Sequence, residues 1–148
     1  MTAQNKKTTH TTRHIKKTKR LERQARGAQA DAKGLRYEQT VANYFSRQGW
    51  KLEFRQRKYG YEYDIYARRE EILSGPEYLV VECKDQVRVS AKDVVSFILK
   101  VDVFYKHLPE ILFTKPPIYA YLCYSGEIDK DAAAVAKTHK PSIKFKKL

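Results

Sequence analysis

The stretch "YEYDIYARREEILSGPEYLVVECKDQ", residues 61–86, holds two apolar runs that read as strands, and each carries a charge where a strand should not. In "YEYDIYA" (61–67) Asp64 stands mid-strand, a place aspartate disfavours. In "YLVVECK" (78–84) a run fit for a protein interior ends in Glu82 and Lys84, two residues apart, which a one-sided strand points the same way. An unpaired carboxylate inside a protein is expensive, so such a group stays in water, takes a proton or meets a cation. Taken alone, E-x-K also describes an exposed pair beyond the sheet edge, and the neighbouring segments decide between the two.

Upstream, "DAKGLRYEQTVANYFSR" (31–47) repeats apolar residues at Leu35, Val41, Tyr44 and Phe45, and Gly49 follows where helices commonly end. This spacing predicts a helix of about four turns. Glu38 lies three residues from both Leu35 and Val41, so it points to the buried side. "WKLEFRQ" (50–56) alternates Leu52 and Phe54 with charged residues and joins "YEYDIYA" through "RKYG", as a hairpin would. With "RREEILSGPE" as a polar turn before "YLVVECK", three consecutive antiparallel strands are predicted.

Downstream, "SAKDVVSFILKVDVFYKHL" opens with Ser90 as a helix cap and Asp93 three places on, then repeats Val94, Phe97, Ile98 and Val101 at helical spacing. "PPIYAYLCYS" (116–125) reads as a buried strand, "EIDKDAAAVAKTHK" as a short helix and "SIKFKK" as an edge strand. The predicted order is α-β-β-β-α-β-α-β. Glu38, Asp64 and Glu82 thus come from three consecutive elements, each against local preference, and such violations gather at functional sites. Hard divalent cations take oxygen ligands from one or two carboxylates plus water and phosphate, so the three acids suit a Mg²⁺ (or Mn²⁺) site acting on a phosphodiester.

These residues resemble the PD-(D/E)xK nuclease superfamily. A helix glutamate, an aspartate on the second strand and an E-x-K on the third form the active site there, matched by Glu38, by Asp64 in "YEYDIYA", and by Glu82 and Lys84 in "VECK". Through "GLRYEQTVANYFSRQGW" and "VECKDQVRVSAKDVVSF" the layout is similar to archaeal Holliday-junction resolvases and Mrr-type restriction nucleases, over residues 30–125. Two positions depart from the pattern: Tyr63 precedes Asp64 where proline is common, and Gln39 follows Glu38 where junction resolvases tend to have arginine. The resemblance implies an α/β, restriction-endonuclease-like αβββαβ core, a central mixed sheet flanked by helices. It also implies a metal-dependent DNA endonuclease of junction, restriction or repair type. Asp64 and Glu82, with the Cys83 carbonyl as a further ligand, would hold one or two metal ions that polarise the scissile phosphate and acidify a water. Lys84 would orient that water and offset transition-state charge. Gln86, of the same strand parity, and Arg55, Arg57 and Lys58, on or just after the first strand, are candidate DNA contacts; a solvated surface explains these four equally well.

At 148 residues and 17.4 kDa the chain suits one core. No run reaches the length of a membrane span and no apolar leader is evident, which predicts a soluble cytoplasmic protein, nucleoid-associated if it binds DNA. Cys83 and Cys123 stand in apolar runs as buried thiols rather than a disulfide framework, and four scattered histidines give no zinc pattern. The net charge of +13 is confined to the ends: residues 1–26 hold nine Lys/Arg against Glu22, residues 137–148 hold five Lys and no acid, and residues 27–136 balance. This divides the chain into a basic disordered arm (1–26), a nuclease-like domain (27–136) and a basic C-terminal strand or tail (137–148). Lys16, Lys17, Lys19 and Arg20 of the arm are candidate phosphate contacts, with an organellar transit peptide or a solubilising tail as the other readings. The eleven tyrosines suit core packing better than a stacking platform for single strands. A homodimer is expected if two strands are cut, with "DVVSFILKVDVFYKHL" (93–108) as the candidate interface, although core packing accounts for its apolar residues as well. The rival function is a basic nucleic-acid-binding module, a nucleoid or ribonucleoprotein component, on an inactive nuclease-like fold.

Overall fold

Alternating apolar residues in the quoted stretch make two long strands that pair antiparallel from Glu71↔Gly75 to Ile65↔Val81. They lie at the centre of a computed structural model that describes residues 7–73, 75–111 and 114–148, with side chains from residue 22 onward. In chain order the elements are α1 (Lys7–Ser46), β1 (Leu52–Lys58), β2 (Tyr61–Glu71), β3 (Gly75–Lys84), β4 (Arg88–Val89), α2 (Ala91–His107), β5 (Ile118–Tyr124), β6 (Glu127–Ile128), α3 (Lys130–Ala136) and β7 (Ile143–Lys147). The chain divides into the compact units Met1–Leu35 and Arg36–Leu148.

The protein is α/β, with a mixed five-stranded sheet ordered β1-β2-β3-β5-β7. β1, β2 and β3 form the antiparallel meander; β5 and β7 add in parallel, with Cys83↔Cys123↔Lys146 in one row. Parallel neighbours need a crossover; α2 supplies it between β3 and β5, and α3 between β5 and β7. One face buries Val80, Ala120, Leu122 and Ile143 against Val94, Phe97, Val101 and Phe104 of α2 and Ala132 of α3. The other buries Ile65, Leu79, Val81 and Cys123 against Tyr37, Val41, Ala42 and Phe45 of α1. Each large apolar side chain so buried contributes roughly 1.5–3 kcal/mol.

The helix-spacing and strand predictions agree with these elements, and Ser90 with Asp93 forms the predicted capping box. The C-terminal end of α2 is fastened by Lys115, whose Nζ donates to the carbonyls of Tyr105 (2.8 Å), Lys106 (3.0 Å) and Leu108 (3.3 Å). Two predictions need correction. Residues 68–71 and 75–77 are strand rather than turn, because Arg69 pairs across the ladder with Glu77 (Nη2–Oε2 2.7 Å) and stacks 4.1 Å from the Trp50 ring centre, so the charges are satisfied within the sheet. The short parallel pair β4–β6 takes Glu127 and Ile128 from the predicted third helix, which spans only Lys130–Ala136. Residues 7–26, expected from the sequence to be a mobile arm unless a polyanion orders them, are helical and continuous with the rest of α1. A helix anchored at one end extends at one hydrogen bond per residue fixed, and Lys, Arg, Gln and Ala are good helix formers. No helix of the described residues is long and apolar enough to cross a membrane.

Candidate active site

The ladder between β2 and β3 stops at Ile65↔Val81, one step short of Asp64 and Glu82, the next residues along the two strands. Tyr63 packs in the α2 layer and Ile65 in the α1 layer, although residues two apart on a regular strand share a face. The pleat of β2 is therefore interrupted at Asp64. On its other side Arg55, opposite Asp64 between Phe54↔Ile65 and Gln56↔Tyr63, adopts φ 49°, a left-handed backbone rare outside glycine. Beyond Ile65↔Val81, β2 and β3 make no further ladder pair, and Asp64 and Glu82 stand at this gap in the pairing.

Asp64 Oδ2 accepts a hydrogen bond from the Cys83 amide at 2.7 Å. Burial, and after it the charge of Glu82, raise its pKa from 3.8 to about 6, against the opposing pull of the Cys83 N–H and Lys100. Glu82 is 7% exposed, with Oε1 at 3.0 Å from Lys84 Nζ and Oε2 at 2.7 Å from Lys100 Nζ. Burial works against the charge of Lys84, but Glu82 outweighs it and holds its pKa above the ordinary value. Lys100 also donates to the Glu62 carbonyl at 2.9 Å.

Asp64, Glu82 and Lys84 thus lie near one another, with Glu82 acting on the charge of both. Glu38 is buried and bound by Arg55 through two nitrogens (Nη2–Oε1 3.0 Å, Nε–Oε2 3.4 Å), and this pairing raises the Arg55 pKa. Arg55, predicted to grip phosphate, is therefore committed to a carboxylate. The Cys83 side chain packs in the α1 layer, away from Glu82, and burial raises its thiol pKa. Gln86 is turned inward, its Nε2 donating to the Arg88 carbonyl (2.9 Å) and to Asp93 Oδ2 (3.0 Å). Arg57 makes an exposed pair with Glu62 at 3.4 Å, and Lys58 sits 4.2 Å from the Tyr66 ring centre. The side chains of Lys16, Lys17, Lys19 and Arg20 lie outside the described residues. Beside Glu38, the Tyr37 hydroxyl is buried with no hydrogen-bond partner among the described residues.

Lys100 is the site residue that sequence reading missed. It lies three residues after Phe97 and four before Phe104, both buried, so it faces inward by the same spacing that singled out Glu38. Among the described residues no group of three His, Cys, Asp or Glu side chains is gathered to hold a metal ion. Asp64 and Glu82 nonetheless offer hard carboxylate oxygens, close enough for the charge of Glu82 to raise the Asp64 pKa, and two carboxylates suit a Mg²⁺ or Mn²⁺ that draws its other ligands from water and phosphate.

No family model and no curated protein matches the chain. Its fold is similar to that of a crystal structure described as a protein of unknown function, AF1548, with a TM-score of 0.54 and 21% identity over 74% of this chain. The match covers 56% of that neighbour's length, and at this identity the likeness is one of fold.

Proposed function

We propose that the chain is a metal-dependent DNA endonuclease with a restriction-endonuclease-like core, hydrolysing phosphodiester bonds at the gap between β2 and β3. The observation that carries this reading is the juxtaposition of the partly buried Asp64 and the buried Glu82 where the ladder between their strands has ended. A fold maintained for its own sake has no use for that repulsion. A hard divalent cation held by Asp64 and Glu82 would polarise the scissile phosphate and acidify a water.

The chain's own residues do the rest. Asp64 is aimed by the Cys83 amide, which donates to its Oδ2. Lys84, on the same strand as Glu82, orients the attacking water and offsets charge on the phosphorane-like transition state. Glu38 acts through Arg55, whose guanidinium it fixes beside the break in β2. Glu82, 7% exposed, is kept largely out of bulk water.

One observation favours the rival, a nucleic-acid binder on an inactive fold: Glu82 already has a lysine on each oxygen, and Glu38 has Arg55. Incubation of the protein with branched, linear duplex and single-stranded DNA, in Mg²⁺ and again in EDTA, separates the two. The endonuclease cuts at least one substrate in Mg²⁺ and none in EDTA; binding without cleavage of any substrate establishes the rival.

A further inference from the structure

An ammonium carried into an apolar layer loses its hydration and must find acceptors there. Lys100, with 17% of its side chain exposed, has two: Glu82 Oε2 at 2.7 Å and the Glu62 carbonyl at 2.9 Å. The first belongs to β3 and the second to β2, so the ammonium spans the gap that opens beyond Ile65↔Val81. With Lys84 on Oε1, both oxygens of Glu82 are held by cationic nitrogen. A divalent cation at Asp64 and Glu82 needs lone pairs of the same carboxylate.

We propose that Lys100 is a positioning residue that competes with a divalent cation for Glu82, holding Oε2 and bracing the gap when no cation is bound and yielding that oxygen when one binds. This rests on the metal-dependent reading above for the class of ion, but not on cleavage. Two ligands of one carboxylate oppose each other reciprocally, and couplings between such events commonly change affinity by about 5- to 150-fold. If Lys100 were only a brace, its removal would loosen the gap and weaken cation binding. As a competitor, its removal strengthens binding.

The test is a titration of the full-length protein with Mn²⁺ in the absence of DNA, with free Mn²⁺ followed by electron paramagnetic resonance. Lys100→Met is expected to bind about tenfold more tightly than the parent, Lys100→Arg, which keeps the charge, within about twofold of it, and Glu82→Gln far more weakly. Equal or weaker binding by a folded Lys100→Met overturns the proposal. Should that variant fail to fold, the lysine ¹⁵Nζ resonance of Lys100 in the parent gives the answer: it shifts or is lost to solvent exchange as Mg²⁺ saturates the site, and a resonance indifferent to Mg²⁺ overturns the proposal. Tighter binding by Lys100→Met with no DNA cleavage by the parent upholds the competition and removes the nuclease function. Cleavage by the parent with unchanged Mn²⁺ affinity in Lys100→Met does the reverse, and no Mn²⁺ binding by any variant removes both.

Discussion

Asp64 bears a charge that its surroundings oppose, and this has a pH signature. Its pKa rises from 3.8 to about 6 on folding, through burial first and Glu82 second. Between those values the folded chain keeps a proton that the unfolded chain has lost, so stability falls as pH rises through this window. Above about pH 6 the full cost is present, about 3 kcal/mol at most. Asp64→Asn removes the charge while its amide oxygen still accepts from the Cys83 N–H. In metal-free buffer this variant is expected to be more stable than the parent at pH 8, by up to about 3 kcal/mol in urea unfolding, and to match it near pH 4. A difference that did not vary with pH would contradict the assigned environment. The acids themselves were legible in the sequence because each broke a local rule: Asp64 inside a strand, Glu38 on the apolar side of a helix, Glu82 at the end of a buried run. Lys100 broke the same rule as Glu38 and was lost only because its helix was read by its apolar residues alone. The engagement of Arg55 and Gln86 was not legible, since a left-handed residue and a folded-back amide leave no periodic trace.

Among the elements, β4 lies between the end of β3 and the start of α2, the helix that carries Lys100, and it pairs with β6. It depends on Gly126, where a Cβ would stand 2.2 Å from the Val87 carbonyl oxygen and 2.3 Å from that of Gln86. Both obstacles are backbone, so no side chain can move aside. Gly126→Ala is expected to lower stability by about 3 kcal/mol. Its effect on cleavage should exceed that of the global loss, because the Glu127 N–H to Val87 bond (2.9 Å) that seats β6 is broken. A loss below about 0.5 kcal/mol in urea unfolding would show that the loop accommodates the methyl group. The long strands and α2 were readable because their apolar periods run for several residues and, in α2, start at a capping box. Two-residue strands have no period to read. The connection between β2 and β3 was misjudged for a different reason: Arg69 and Glu77 look like turn residues until they are seen opposite each other in a ladder.

At the scale of the whole molecule, charge and chemistry are segregated: residues 27–136 are balanced and contain the proposed site, while residues 1–26 carry nine cations and one anion. If that basic segment lies along phosphates, its deletion should lower the slope of log affinity against log salt by about 0.9 per lost contact, with single-turnover cleavage at saturating protein nearly unchanged. An unaltered slope would show that the segment is no DNA contact. The central claim concerns Glu82 and Asp64, and the most direct measurement is single-turnover cleavage by Glu82→Ala beside the parent in Mg²⁺, with DNA affinity measured on the same preparations. The prediction is that cleavage is abolished while affinity is kept or increased, because a negative charge facing phosphate has been removed along with a cation ligand. Cleavage by Glu82→Ala at the parental rate, in preparations free of contaminating nuclease, would contradict it.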